Sequence, residues 1–384
     1  MNSKEGNLML SEDRKHRILQ ELAVKGSLNA AELAAELGVS GMTLRRDLAL
    51  LAGRGLLNRV HGGAVPVNNP PSALSGPGRN TGATSDNDRR TTIGMIVPSA
   101  SYYFPGIIRG AEAAAREAGV RLVLGVSNYS MEEERRQLRR LYDLGVDGVL
   151  ITPSEPSVAG TETLTLLNAA VVPVVVVERS IDDTLEDAPI ESVRSDHARG
   201  AQIAIRHLLN LGHRRISLFL REESPTAWQL IDGYHAAIQR AGLSEDPALV
   251  RTVPRAHKDP QAHRSWVGGM LEWCASTGVT AALIHSDEDA LQFASVCQEQ
   301  GMDIPGDLAI VAYDDEIASL CNVPLTAVSP PKFDVGYQAL MTCLNRIAAS
   351  RRSSRALQRV VLSPSLVVRS STVPENAARE ALGA

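Results

Sequence analysis

The chain has 384 residues, enough for two or three domains that each bury a hydrophobic core. Its composition is that of a globular protein, with 44% hydrophobic and 22% charged residues, and a net charge of −5 does not by itself indicate nucleic acid. The charge is unevenly spread, however. Residues 1–65 hold nine Lys/Arg and seven Asp/Glu, while the remainder holds 30 and 37, which fits a small DNA-binding head on an acidic body.

Cysteine spacing and the amino-terminal segment exclude several other classes. Cys274, Cys297, Cys321 and Cys343 are far apart and form no CxxC pair, so we expect four reduced thiols, no zinc site, no disulfide and no cofactor. The first residues contain no continuous apolar segment typical of a secretion signal, and no apolar run approaches 18 residues. We therefore expect a cytoplasmic protein without a membrane span.

Three regions differ in composition. Residues 8–65 have helical periodicity followed by a hairpin pattern, and we predict a winged helix-turn-helix there. Residues 66–91 are rich in Pro, Gly, Ser and Asn and are predicted to form a flexible linker. Residues 92–370 are predicted to form an effector domain, and residues 371–384 a tail.

Residues 92–370 alternate apolar runs with amphipathic helical patterns, which predicts an α/β fold with parallel sheets covered by helices. The predicted strands are 93–98, 121–126, 148–152, 172–177, 216–220, 281–285 and 308–312. The predicted helices include 106–118, 132–144, 198–211 and 227–241. The length favours two subdomains, about 92–192 plus 325–350 and about 193–322 plus 355–370. Ligands of such folds bind in the crevice beyond the carboxyl ends of the strands.

The head has a candidate DNA-recognition helix. Helices are predicted over 14–24 and 30–37, and Ser40 is a favourable N-cap for a third helix that runs to about residue 52. At about 100° per residue, three leucines of this helix share the side that packs on the first two helices: Leu44, Leu48 and Leu51. The opposite side presents groups suited to a major groove: Met42, Thr43, Arg45, Arg46 and Ala49.

Residues 56–65 read as two short strands around Gly62 and Gly63, which predicts a wing. Arg59 and His61 would then contact the DNA backbone or the minor groove. The predicted DNA-binding residues are therefore Ser40, Met42, Thr43, Arg45, Arg46, Arg59 and His61. A solvated charged surface is the alternative interpretation of the arginines, and we expect Asp47, nearer the packing edge, to form a structural ion pair.

The whole head resembles the DeoR-type winged helix-turn-helix. Its most specific segments are VSGMTLRRDL at 39–48 and RVHGGAV at 59–65. The resemblance implies sequence-specific operator binding, usually as a repressor, with Thr43, Arg45 and Arg46 in the groove.

Residues 92–370 resemble the periplasmic-binding-protein fold of LacI/GalR-type regulators. The segments that carry the resemblance include VDGVLITPS at 146–154, PVVVVER at 173–179, IPGDLAIVAYDD at 304–315 and VVLSPSLVVRSST at 360–372. This body differs from the sugar-phosphate sensor domain that usually follows a DeoR-type head. The short helical hinge of LacI-type proteins is also missing, so no minor-groove contact of such a hinge is carried over.

The LacI/GalR resemblance implies a ligand site between the subdomains. Its loop after the first strand supplies Ser99, Tyr102, Tyr103 and Phe104, with Tyr103 and Phe104 matching the aromatic pair that flanks a sugar. Arg179 matches a hydrogen-bonding arginine, and Asp287 matches an acceptor for ligand hydroxyls.

Two residues depart from the family pattern in this site. Trp228 stands where an arginine is frequent, and Pro330 stands where a polar residue is common. Both changes make the site more aromatic, so a nucleoside, an unusual sugar or another ring compound fits as well as a hexose. Structural roles are the alternatives: Tyr102 in the core or on the surface, Arg179 in a salt bridge, and Asp287 as a helix cap.

We predict a transcriptional repressor whose operator affinity is modulated by a small ligand, usually a sugar or related metabolite. The body is expected to dimerise and so to set the spacing of two heads on the operator DNA. A transport solute-binding protein and a sugar-modifying enzyme are the alternatives. No GxxxxGK[ST] or GxSxG motif is present, and neither Asp314–Asp315 nor His285 with Asp287 has an accompanying nucleophile, so we expect no enzyme activity.

Overall fold

The computed structural model describes residues 18, 28–30, 33–34, 39–53, 57–60, 63–65, 90–155, 161–180, 190–254, 260–349 and 356–373. The chain divides into two units, residues 1–85 and 86–384, here called the head and the body. Most of the predicted linker 66–91, parts of the predicted head helices and most of the predicted tail lie outside the described residues.

The head contains helix α1, Gly41–Gly53, and a small antiparallel sheet of three strands. The strands are β1, Leu28–Asn29; β2, Asn58–Val60; and β3, Gly63–Val65. β2 and β3 form the predicted wing, while β1 pairs with β3 as a strand that the sequence pattern did not indicate. The predicted leucines Leu44, Leu48 and Leu51 are buried in one core with Ile18 and Leu33.

The first sheet of the body has six strands in the order β14-β8-β7-β6-β4-β5, all paired in parallel. Its strands are β4, Thr92–Val97; β5, Arg121–Val126; β6, Gly148–Ile151; β7, Val174–Val177; β8, Glu191–Ser195; and β14, Arg359–Leu362. Its helices are α2, Phe104–Glu117; α3, Met131–Leu144; α4, Glu162–Asn168; and α9, Lys332–Ala349. Helices α2 and α9 pack on one face of the sheet, and α3 and α4 pack on the other.

The second sheet has the order β10-β9-β11-β12-β13-β15, with only β15 antiparallel to its neighbour. Its strands are β9, Ile216–Arg221; β10, Val250–Val253; β11, Ala281–His285; β12, Ala309–Tyr313; β13, Thr326–Ser329; and β15, Ser365–Val367. Its helices are α5, His197–Asn210; α6, Ala227–Arg240; α7, Pro260–Thr277; and α8, Asp287–Glu299. Cores lie on both faces of this sheet as well.

The subdomain boundaries differ from the predicted ones because the chain crosses between the sheets three times. β13 pairs with β12 and so belongs to the second subdomain, although 325–350 was predicted in the first. β14 pairs with β8 and belongs to the first subdomain, although 355–370 was predicted in the second. β8 ends at Ser195, beyond the predicted boundary at 192. Strand pairing across such sequence distances leaves no trace in local periodicity.

The body also extends into the predicted tail. Ser371 is buried, donates a hydrogen bond to Ile310 O at 2.6 Å and accepts one from the Thr326 amide at 2.8 Å. Thr372 is buried and lies 2.7 Å from the Thr326 hydroxyl oxygen. These two residues therefore belong to the fold, which corrects the predicted start of the tail at 371.

Helices α2 and α9 approach closely because glycines stand at their contact. A Cβ on Gly336 would lie 1.8 Å from Ile107 O, and a Cβ on Gly110 would lie 1.9 Å from Phe333 O. Both obstacles are backbone atoms, which cannot rotate away. The crossing therefore requires glycine at these two positions.

We predict that Gly336→Ala lowers the free energy of unfolding by about 1–3 kcal/mol or more, because the added methyl overpacks a backbone contact. The matched control is Gly269→Ala in α7, where nothing lies within 4 Å of the added Cβ. That variant should gain about 0.5–1 kcal/mol from helix propensity. Urea denaturation of both variants measures the difference, and a Gly336→Ala protein as stable as wild type would contradict the described crossing.

Candidate functional sites

The recognition helix of the head is capped as predicted. The Ser40 hydroxyl accepts a hydrogen bond from the Thr43 amide at 3.1 Å and lies 2.8 Å from the Thr43 hydroxyl oxygen. Met42 is 79% exposed and the Arg46 side chain is exposed, while Leu44 and Leu48 on the opposite side are buried. An apolar back and an exposed front of this kind let a helix present side chains to DNA.

Other predicted DNA-binding residues are only partly described. Helix α1 includes Arg45, and strand β2 includes Arg59, but their side chains are outside the described part of the structure, as is His61. Asp47 is buried, at 7% exposure, on the packing edge where a structural role was expected. The DNA-contact assignments therefore stay predictions.

In the body, residues that follow β4 and β7 contact residues that follow β11 and β12 and the first residue of α5. Side chains from both subdomains meet there in a buried polar cluster, here called the cleft cluster. Its members are Tyr102, Tyr103, Glu178, Arg179, His197, His285, Asp287, Tyr313, Asp314 and Lys332. Six of the predicted or considered residues belong to it: Tyr102, Tyr103, Arg179, His285, Asp287 and Asp314.

Asp287 is fully buried and held by protein donors. Its Oδ2 accepts backbone N–H bonds from Glu316 at 2.7 Å, Ile317 at 2.6 Å and Ala318 at 3.1 Å. Its Oδ1 accepts the phenolic O–H of Tyr102, which crosses from the first subdomain. Asp287 therefore fixes the turn after β12 and joins the subdomains, a role that the sequence pattern did not reveal.

The hydroxyl of the neighbouring Tyr103 is also bonded to a buried carboxylate. The Tyr103 hydroxyl donates to Glu178, whose Oε2 accepts the Ser195 amide at 2.9 Å and whose Oε1 lies 3.4 Å from His197 Nε2. Burial alone would raise the pKa of Glu178, but the hydrogen bonds and charge of its neighbours, above all His197, lower it to about 2. His197 Nδ1 in turn lies 3.0 Å from the Tyr313 hydroxyl.

One predicted ligand residue is placed differently from the expectation. Phe104 is buried in the first-subdomain core, so its ring packs inside the protein instead of covering a ligand. The Ser99 hydroxyl accepts the Ser101 amide at 3.1 Å within its own loop, and its contact with a ligand stays a prediction. Trp228, in the first turn of α6, is 51% exposed and stays a prediction.

Arg179 follows β7 at the edge of the sheet that faces the second subdomain. Only 8% of it is exposed, and its Nη1 donates to Glu178 O at 3.0 Å. Nε is buried and has no partner within the described part of the body, and no described carboxylate forms an ion pair with this guanidinium. The predicted salt-bridge alternative is therefore not seen among those residues.

His285 and Asp314 have altered acidities. Burial, together with the charges of Arg221 and His197, lowers the pKa of His285 to about 3, so this imidazole is neutral. Burial raises the pKa of Asp314 to about 7, an effect that the Lys332 charge opposes and the Asp287 charge reinforces. Asp314 Oδ2 lies 3.3 Å from the Tyr102 hydroxyl, and Lys332 Nζ donates to the Asp314 carbonyl.

Sequence reasoning missed Glu178, His197, Tyr313 and Lys332 as members of the cleft cluster. Glu178 directly follows the buried strand β7, and His197 follows the crossing after β8. A polar residue just beyond a predicted buried strand could therefore have indicated these cleft residues from the sequence. Lys332 opens α9 directly after the crossing that follows β13, and its ammonium lies 5.0 Å from the Tyr103 ring centre.

Comparison with known proteins identifies both units. Residues 14–69 match the DeoR-like helix-turn-helix domain, and residues 205–372 match the periplasmic binding protein-like domain. These matches identify the chain as a transcriptional regulator. Both the predicted domain pair and the predicted α/β fold are confirmed.

Individual relatives match over almost their whole length. The chain is 28% identical to an arabinose metabolism transcriptional repressor of Geobacillus stearothermophilus, covering 89% of this chain and 90% of that protein. It is 26% identical to the transcriptional repressor CytR of Escherichia coli K12, covering 92% and 96%. The solved structure of the regulator GntR from Chromobacterium violaceum matches at 26% identity with a TM-score of 0.60, covering 73% and 99%. All three are named as transcriptional repressors or regulators.

The described residues give no sign of a metal centre or a membrane span. They contain no group of three or more His, Cys, Asp or Glu placed to hold a metal ion. The four cysteines are free. None of the helices described here combines the length and apolar character needed to span a bilayer.

We predict that the acidity of Asp314 makes stability depend on pH. Because its pKa is raised in the folded protein, the folded state keeps a proton that the unfolded chain releases between about pH 4 and pH 7. The contribution of Asp314 to the free energy of unfolding is therefore fully present below about pH 4. It is lost as the pH rises through 7, by up to about 1.4 kcal/mol per pH unit.

Asp314→Asn should flatten the dependence of the unfolding free energy on pH across this window, as measured by urea denaturation at intervals from pH 4 to 8. The exposed Asp232 of α6 provides the control, and Asp232→Asn should keep the wild-type slope. Parallel curves for wild type and Asp314→Asn would contradict the assignment.

Proposed function

We propose that the chain is a ligand-responsive transcriptional repressor whose head binds operator DNA through helix α1. The observation that carries this proposal is the two-sided character of α1, with Leu44, Leu48 and Leu51 buried and Met42 and Arg46 exposed. Arg46 would read a guanine edge or a phosphate, and Thr43 and Arg45 would lie beside it in the major groove. The wing residues Arg59 and His61 would contact the DNA backbone or minor groove.

We further propose that two chains pair through their bodies. A symmetric dimer presents two heads at a fixed spacing, and this symmetry matches that of a near-palindromic operator. The protein would act in the cytoplasm, where the DNA lies.

The effector would be a sugar or related metabolite bound between the two sheets of the body. Support comes from the cleft cluster, which joins the subdomains through the Tyr102–Asp287 hydrogen bond, and from the name of the arabinose metabolism repressor. A ligand that changes how the sheets close on each other changes the geometry presented to the operator, and so shifts the affinity for DNA. Arg179 and Tyr103 would contact the effector, and Trp228 would lie at the rim of the site.

We predict that Arg46→Ala abolishes specific operator binding while the protein still folds, because the side chain is exposed and makes no core contact. An operator would first be selected from random duplex DNA with the wild-type protein. Titration at several salt concentrations should then show salt-dependent specific binding by wild type, with two chains per site.

Arg46→Ala should lose at least tenfold in specific affinity and keep the wild-type thermal unfolding curve. The control is Arg116→Ala on the exposed side of α2, which should bind as wild type. Specific affinity retained by Arg46→Ala would remove α1 as the reading helix, and one chain per site would remove the dimer.

A further inference from the structure

Hydrogen-bond accounting in the cleft cluster separates groups that are already satisfied from groups that are not. A buried polar group without a partner costs free energy, so spare capacity at a ligand site indicates what the ligand supplies. We apply this to the described residues, and the inference rests on the proposed function of the cleft as an effector site.

The buried carboxylates around the cleft are occupied by protein donors. Asp287 accepts three backbone amides and the Tyr102 hydroxyl. Glu178 accepts the Tyr103 hydroxyl and the Ser195 amide. Glu134 accepts the Ser154 amide at 2.6 Å and the Thr163 hydroxyl at 3.0 Å. Asp314 is the exception, because the Tyr102 hydroxyl, 3.3 Å from Oδ2, is the one hydrogen-bond donor to its carboxyl group among the described residues.

In contrast to these carboxylates, the buried guanidinium of Arg179 has hydrogen-bonding groups without partners among the described residues. It can donate five hydrogen bonds, and only the bond to Glu178 O is formed among the described residues. Glu178 is its neighbour in sequence, yet that carboxylate is directed to Tyr103, Ser195 and His197. Burial lowers the pKa of Arg179, which is the effect expected when a buried cation lacks a directly paired anion.

We propose that Arg179 binds a carboxylate or phosphate oxyanion of the effector, so that the effector class is acidic sugars or sugar phosphates. A guanidinium pairs with either oxyanion through two parallel N–H bonds. Tyr102 sets this specificity, since its hydroxyl occupies the Asp287 oxygen that a neutral sugar hydroxyl would use.

The first test uses inorganic phosphate and acetate as probes on the full-length protein at constant ionic strength. Wild type should show a saturable rise in melting temperature that Arg179→Gln loses, with partial recovery in Arg179→Lys, which keeps the charge. The exposed Arg116→Gln of α2 is the control and should respond as wild type. The melting temperature of Arg179→Gln without probe should not fall, because no paired anion is lost.

Equal responses of wild type and Arg179→Gln would overturn the proposal.

The second test separates the ligand sources with matched pairs: glucose with glucuronate and glucose 6-phosphate, and ribose with ribose 5-phosphate. Calorimetry should show binding of an acidic member at least tenfold tighter than its neutral partner, and Arg179→Gln should remove that preference. Tyr102→Phe frees Asp287 Oδ1 to accept a sugar hydroxyl. This variant should therefore bind the neutral compound of each pair more tightly and show a smaller affinity difference between the acidic and the neutral compound.

A neutral sugar that binds wild type and Arg179→Gln equally well would overturn the proposed effector class but leave a ligand-responsive regulator standing. Loss of the proposed function itself would appear separately, as an absence of specific operator binding by the wild-type protein in the DNA titration.

Discussion

Every buried carboxylate between the two sheets of the body has to be hydrogen-bonded, and this constraint organises the cleft. Asp287 meets it by accepting the amides of Glu316, Ile317 and Ala318 on one oxygen and the Tyr102 hydroxyl on the other. The first three bonds shape the turn after β12. The fourth joins the subdomains, so one buried charge connects local backbone geometry to the closure of the whole body.

The architecture allows such a bond because the chain crosses between the sheets three times and keeps their carboxyl edges opposed. His197 and Lys332 lie directly after two of these crossings: His197 Nε2 is 3.4 Å from Glu178 Oε1, and Lys332 donates to the Asp314 carbonyl. Movement between the subdomains therefore has to alter hydrogen bonds of the cleft cluster. A ligand with different affinity for the two arrangements would shift their populations, and this is the physical basis proposed for regulation.

Local patterns were sufficient to predict seven of the parallel strands, the bounds of α2, α3, α5 and α6 to within two residues, and the buried leucines of α1. They did not indicate the parallel strands β8, β10, β13 and β14. They were insufficient where the partner lies far along the chain. β13 and β14 exchange subdomains relative to the prediction because their pairing with β12 and β8 depends on the crossings. Similarly, Asp287 was recognised by resemblance, but its bond to Tyr102 spans 185 positions and no spacing rule reports it. The burial of Phe104 depends on how α2 sits on its sheet, which periodicity does not resolve.

The central claim is that the body controls the head, and the most direct measurement is operator affinity with and without bound effector. Full-length protein would be titrated with its selected operator, alone and saturated with the acidic compound that stabilises it most. The account predicts a change of about 5- to 150-fold in operator affinity, with the same factor when effector affinity is measured on DNA-bound protein. An effector that saturates the body but leaves operator affinity unchanged would contradict the claim.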